Sequence, residues 1–280
     1  MKKVNIKIFL AAILAMGIVS CDENGLGGQG EAEAKIGELF ILAESTGSRI
    51  INTTDLALKD PDLAANGTTT IDGANVTKTG NDIVIDYGTG TAGSDGILRE
   101  GQVSLTMSGG SDYMVAGTSV DGTFNNYKEA GKPVSGTFKV DNQGNDVFGL
   151  ELTQLSVTDE DDNGFTLNAT KTLSWDAGLS TLSDVSDDEY TLSGTSSGTA
   201  DTLSVTANIT SPFIYKGACQ YRVEEGVLSI TLESSTPNVP TYTSGSIDFL
   251  SEDNCNNLYE IKLQNDDGGE VITTQTFSGF

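Results

Sequence analysis

The chain has 280 residues, with 40 Asp and Glu against 15 Lys and Arg, a formal charge of −25 and no histidine. So acidic a surface repels nucleic acid and anionic headgroups, which excludes a polyanion as partner. The missing histidine removes Ser-His-Asp and Cys-His nucleophilic machinery, His-ligated zinc and imidazole acid/base chemistry.

Lys2, Lys3 and Lys7 come before a run from Ile8 to Val19 in which every residue is apolar or Gly. That is the length of a secretory h-region and too short to span a bilayer. The run closes on Ile18-Val19-Ser20-Cys21, which resembles the lipobox of bacterial lipoproteins. The resemblance implies cleavage before Cys21 and lipidation of its thiol, and a tether with several acyl chains anchors stably where one chain binds marginally. Residues 1–20 therefore read as a signal peptide. Residues 21–30, with Gly25, Gly27, Gly28 and Gly30, read as a flexible spacer. Asp22 and Glu23 resemble the sorting signals of Bacteroidota lipoproteins displayed on the outer surface, although Asp after the Cys resembles inner-membrane retention in enteric bacteria. The expected location is the bacterial envelope, at the outer membrane and facing outwards.

Residues 31–67 carry the one helix signal. Ala32, Ile36, Leu39, Phe40 and Ala43 share a stripe between Glu31 and Ser45, Glu31 and Lys35 form an i,i+4 pair, and Gly47 is placed to stop the helix. Leu39 to Leu42 reads equally well as a buried strand. Asp55 to Asn66, interrupted by Pro61, reads as a connector.

From Thr68 to the end the period becomes two. Stripes recur at Ile83/Ile85/Tyr87, Val103/Leu105/Met107, Phe165/Leu167/Ala169, Leu203/Val205/Ala207, Leu228/Ile230/Leu232 and Tyr259/Ile261/Leu263, separated by Gly, Asn, Asp and Ser clusters. Strands with one apolar face and no helices between them predict an all-β domain over 68–280: an antiparallel meander forming a sandwich or barrel, behind a short N-terminal helix. An outer-membrane barrel is set aside, because several strands are too short, aromatics are 7% of residues and a lipid tether would be redundant.

Ile83-Val84-Ile85-Asp86-Tyr87-Gly88-Thr89-Gly90, Asp95-Gly96 and Arg99-Glu100-Gly101-Gln102-Val103 resemble segments of a group of Bacteroidota lipoproteins of unassigned function. Lys216-Gly217-Ala218-Cys219, Ile247-Asp248-Phe249 and Asn254-Cys255 extend the likeness. It implies export, lipidation and a β-rich body, and no activity.

With Cys21 lipidated, Cys219 and Cys255 are an even pair in an exported chain, placed at turns two strands apart, and a structural disulfide is expected between them. Asp159, Asp161, Asn163 and Gly164 match the start of a Ca²⁺ loop, but Thr170 stands where the closing bidentate Glu belongs. A solvated hairpin turn is the preferred reading, weak calcium binding the alternative, and no other cofactor is expected. The run Asp184, Asp187, Asp188 and Glu189 is treated alike, and Trp175 follows the alternation as a core residue. No spacing singles out a catalytic carboxylate pair, so a glycan-directed hydrolase is the second reading. The first is a lipid-anchored, non-catalytic module that holds a glycan or protein on a sheet face or loops.

Overall fold

The computed structural model describes residues 31–181, 185–219, 222–235, 241–250 and 258–276. The signal peptide, Cys21, the spacer, Asp184 and Cys255 lie outside the described residues. Helix α1 (Glu31–Lys59) and a one-turn helix α2 (Pro61–Asn66) precede β1 (Thr68–Ile71), β2 (Ala74–Thr79), β3 (Asp82–Ala92), β4 (Leu98–Ser108) and β5 (Ser119–Glu129). Then come β6 (Lys132–Pro133), β7 (Ser135–Gly144), β8 (Val147–Thr158), β9 (Gly164–Ala177), β10 (Glu189–Ala200) and β11 (Leu203–Lys216). The chain ends with β12 (Arg222–Ser234), β13 (Ser244–Phe249), β14 (Leu258–Gln264) and β15 (Glu270–Thr276).

All strands join one antiparallel sheet in chain order, with β6 paired to β5 alone. Short hairpins make that order natural: Asp72-Gly73 and Asn145-Asp146 each place two successive residues at positive φ, the turn whose twist matches the strands it joins. The all-β antiparallel meander expected from the period-two stripes is the fold. Among the described residues no ladder joins β1 to β15, so the sheet is not closed. Instead it folds over α1 in a sandwich-like arrangement. Gly37 approaches Ile261 on β14, Phe40 meets the ring of Phe165 on β9 edge-on at 6.0 Å, and Arg49 reaches Glu129 on β5.

The inward residues of the stripes are buried, and the outward positions between them are largely Thr, Ser, Asn and Glu. A lipid-facing barrel carries aliphatic residues there. This outer face is built for water.

The helix departs from expectation. It runs through Leu39–Leu42, past Ser45 and Gly47, to Lys59, and the region read as a connector holds its last turn and α2. Asp60 caps α2 by accepting from the amides of Asp62 and Leu63 at 2.8 and 3.0 Å, Pro61 opens it and Gly67 closes it at φ 71°. Two features hid the second half of α1. Its stretch Ser45-Thr46-Gly47-Ser48-Arg49-Ile50-Ile51-Asn52-Thr53-Thr54 is poor in helix formers, so packing rather than propensity holds it. Its buried stripe is also partly polar, which erases the amphipathic signal.

Gly47 is a contact residue and not a stop. A Cβ built there would lie 2.6 Å from Leu152 Cδ1. We expect Gly47→Leu to push α1 off β8 and lower stability by about 1–3 kcal/mol, the usual cost of overpacking. Chemical denaturation against an exposed control with room for a Cβ and no positive φ, Gly164→Ala, checks this; an unchanged midpoint would show that the helix does not seat on Leu152.

Candidate functional site

Glu44, Ser48, Asn52, Asp55 and Lys59 fall on one stripe of α1, at steps of four, four, three and four residues. The stripe faces β9, β10 and β11. Glu44 pairs with Lys171 on β9, Ser48 Oγ lies 3.3 Å from the Tyr215 hydroxyl on β11, and Lys59 Nζ donates to the Tyr190 hydroxyl on β10 at 2.8 Å. A cavity of about 60 Å³ separates Glu44, Asp55 and Lys171 from Leu150, Leu152 and Leu192, enough for a few water molecules.

The lower end of the stripe is a closed ionic box. Lys59 Nζ sits 2.8 Å from Asp55 Oδ2, 3.3 Å from Asp188 Oδ2 and 4.0 Å from the centre of the Trp175 ring, which stacks on Tyr190. The Tyr190 hydroxyl donates to both carboxylates at 3.3 Å. Asp55 and Asp188 are thus brought close, but the ammonium fills the space between them, and Lys59 and Asp188 side chains are each 2% exposed. A glycosidic bond has no way in, so this carboxylate pair does not serve the hydrolase reading.

A second buried network ties the Gly-rich β3–β4 hairpin to the helix. Arg99 grips Asp95 with two nitrogens at 2.9 and 2.5 Å, reaches Asp72 at 3.3 Å and lies 3.5 Å from Glu129, which accepts from Arg49 at 2.6 Å. Gly93 is required beside it, since a Cβ there would fall 2.3 Å from Arg99 Nη1. Burial opposes the guanidinium charge, yet Asp95 and Glu129 outweigh it and hold the Arg99 pKa above its ordinary value. The same cluster pushes Tyr127 up, through burial first and then the Glu129 charge, and burial takes Tyr87 to about 12. The Asp95-Gly96 and Arg99 segments of the family resemblance therefore meet as a structural clasp.

The acidic turn is a different object. Asp159 Oδ1 accepts from the amides of Asp161 and Asn163 at 2.9 and 2.8 Å, while its Oδ2 lies 2.8 Å from Lys35 Nζ on α1. Asp162 pairs with Lys132 at 2.7 Å. Asp159, Asp161 and Asn163 thus shape a turn already served by lysine cations, although they do share one side of it. In the neighbouring run Asp187 accepts from Thr181 Oγ1 at 2.7 Å, and among its described residues only Asp188 is buried. Trp175 is buried as expected, with the added role of facing Lys59. Cys219 is buried in the 3-10 turn Gly217–Cys219 after β11.

Outside, the register aligns polar residues into rows. Thr170, Thr195, Asn208, Ser229 and Ser246 face one another in turn across β9 to β13. The next row is Asn168, Ser197, Thr206, Thr231 and Ser244. A shallow depression of about 600 Å³ lies over this face, with Glu151 at its rim. All ten row residues are uncharged, in a chain of net charge −25.

Sequence reasoning missed the buried box and these rows. The i,i+4 spacing of Asp55 and Lys59 was a visible sign of pairing; Asp188 is 129 residues from Lys59, and nothing local links them. Compared with known proteins, the chain matches no family model, no curated protein and no solved structure.

The Asp159 carboxyl is held down at about 2: burial raises it, but hydrogen bonds from Lys35 and Asn163 prevail over the ordinary value of 3.8. A depressed folded pKa contributes stability that is complete above the unfolded value and lost as pH falls through the folded one. The stability gap between wild type and Asp159→Asn should therefore be full above about pH 4 and vanish near pH 2. Denaturation curves at stepped pH measure it, and a gap independent of pH would refute the ion pair.

Proposed function

We propose that the chain is exported, cleaved before Cys21, held at the outer membrane by lipid on that residue, and used as a non-catalytic binding module for neutral glycan chains. The observation that carries the binding reading is the pair of uncharged Ser/Thr/Asn rows across β9 to β13. Hydroxyls and amides each donate and accept, as sugar hydroxyls do. Neighbouring strands stand roughly 4.8 Å apart and same-face residues roughly 6.7 Å apart along a strand, so the donors and acceptors repeat on the scale of a sugar chain. Each such hydrogen bond replaces one to water and adds little, so affinity comes from many contacts along a polymer rather than from a single sugar. The negative charge of the rest of the surface disfavours anionic polysaccharides.

Cys21→Ser should leave the membrane pellet and yield a soluble form that co-sediments with an uncharged polysaccharide such as insoluble β-glucan, and not with an anionic one. Thr206→Glu/Thr231→Glu should abolish co-sedimentation while the far-ultraviolet spectrum stays unchanged. A folded double variant that still binds would remove the face from the reading, and a Cys21→Ser protein that stays in the pellet after signal cleavage would remove the lipid anchor.

The proposed Cys219–Cys255 disulfide fits the strand order. Gly226 on β12 pairs with Phe249, the last residue of β13, and Phe249 pairs with Tyr259 on β14, so β13 ends and β14 begins at the end of the sheet where β12 starts, just after the turn carrying Cys219. Replacing both cysteines by Ser should cost about 2–5 kcal/mol and leave membrane attachment intact. Peptide mapping without reductant tests the pairing; two free thiols in exported protein would disprove it.

A further inference from the structure

The Lys59 box has the composition of a bond-forming site, and no part of the binding reading uses it. An amine, two carboxyl groups and a hydroxyl converge on one point: Lys59 Nζ with Asp55 Oδ2 at 2.8 Å, Asp188 Oδ2 at 3.3 Å and the Tyr190 hydroxyl at 2.8 Å. The indole of Trp175 covers the ammonium at 4.0 Å. Lys59 and Asp188 side chains are each 2% exposed, and a Cβ at Gly178 would overlap Asp188 Oδ1, so the pocket is closed tightly around the pair. Removing three charges from water is costly, and their mutual attraction returns that cost only in part.

We propose that Lys59 and Asp188 condense into an isopeptide bond, with Asp55 as the catalytic acid/base. In the reactive form one proton has passed from the Lys59 ammonium to Asp188, so a neutral amine stands beside a neutral carboxyl. Nζ attacks Asp188 Cγ; Asp55 takes the proton from nitrogen and returns it to the departing hydroxyl. The N–C bond forms, the C–O bond breaks, and one water leaves. Ammonium plus carboxylate become amide plus water, so neither oxidant nor cofactor is needed. Folding supplies the rate by fixing the reacting groups in contact, which replaces a bimolecular encounter.

The geometry assigns the two aspartates different parts. Asp188 is the more deeply buried and immediately precedes β10, whereas Asp55 stands one turn from Lys59 on the same helix. Asp55 also lines the interior cavity, which receives the expelled water, and its Oδ2 accepts from the Tyr190 hydroxyl at 3.3 Å. The bond would lock the last turn of α1 to the sheet. Glu44 and Lys171 provide an internal comparison: they form a buried pair as well, but among the described residues Lys171 has no second carboxylate in ion-pair contact.

The test is mass spectrometry of the processed full chain, digested after reduction. The expected result is a branched peptide joining Lys59 to Asp188, with the mass of its two arms less one water and with almost no unlinked counterparts. Asp188→Ala and Lys59→Met should each abolish it. Asp55→Ala should lower the linked fraction formed in a fixed time by about a hundredfold or more, the scale of acid/base assistance. Hydroxylamine treatment separates an isopeptide, which survives, from a cyclic imide at an Asp-Gly step, which opens. Unlinked Lys59 and Asp188 peptides in the wild type would overturn the proposal, whatever the variants do. A water deficit that hydroxylamine removes, or a link to Asp55, would overturn it too. A Glu44–Lys171 link formed to the same extent would overturn the role given to the third carboxylate.

Discussion

Gly47 meets Leu152 across a gap that admits no side chain, and Phe40 lies edge-on against Phe165 on the same wall of the sheet. The seating of α1 on the inner face is the constraint on which the rest of the fold depends. A fourteen-strand path of hairpins has an apolar inner face far too wide to cover itself without a filler, and the helix is that filler. In return the sheet supplies the packing that a segment rich in Thr, Ser, Asn and Gly needs to stay helical. Neither element is plausible alone. That mutual dependence explains why the ion pairs linking them, Arg49 to Glu129 and Lys59 to Asp188, are held at or below about a tenth exposure.

Those charges set the orientation of the helix. An apolar stripe can slide or rotate by a fraction of a turn at small cost, whereas a shift that takes Lys59 away from Asp188 would leave that buried carboxylate without its cation, at a cost of about 3–5 kcal/mol. Three anchors spaced along α1 act together: Glu44 with Lys171, Arg49 with Glu129, and Lys59 with its two aspartates. Arg99 passes the constraint on, since Glu129 also takes its guanidinium and Asp95 clamps the far side. The polar interior is thus a registration device, and its tightest corner has the groups for a covalent one.

Inside and outside divide the labour. The inner face carries the buried ion pairs and, among the described residues, most of the aromatic rings, while the outer face of β9 to β13 repeats short hydroxyl and amide side chains from strand to strand. The acids are pushed to the margins of those rows, at Glu151 and Glu233, and to the turns. The face proposed for binding is neutral within a strongly acidic surface, and as a binding face it would select by what it lacks as much as by what it offers.

The alternation of apolar residues and the Gly, Asn, Asp and Ser clusters between them were enough to establish an antiparallel meander from sequence, because period two and turn-forming clusters are local properties. The core positions of Ile83, Leu105, Val205 and Ile261 followed from the same rule, and so did the turn at Asp159. The length of α1 did not, since propensity argued against residues 45–54 and only the enclosing sheet reverses that balance. Nor did the Lys59 box, whose partners stand 129 residues apart in the chain. The rows of Thr, Ser and Asn were equally hidden: each strand showed its own polar face, but which residue stands opposite which depends on the register shifts between Leu192 and Thr195 and between Ile209 and Ser211. The face of each side chain was local information. Its neighbour across the sheet was decided by the whole.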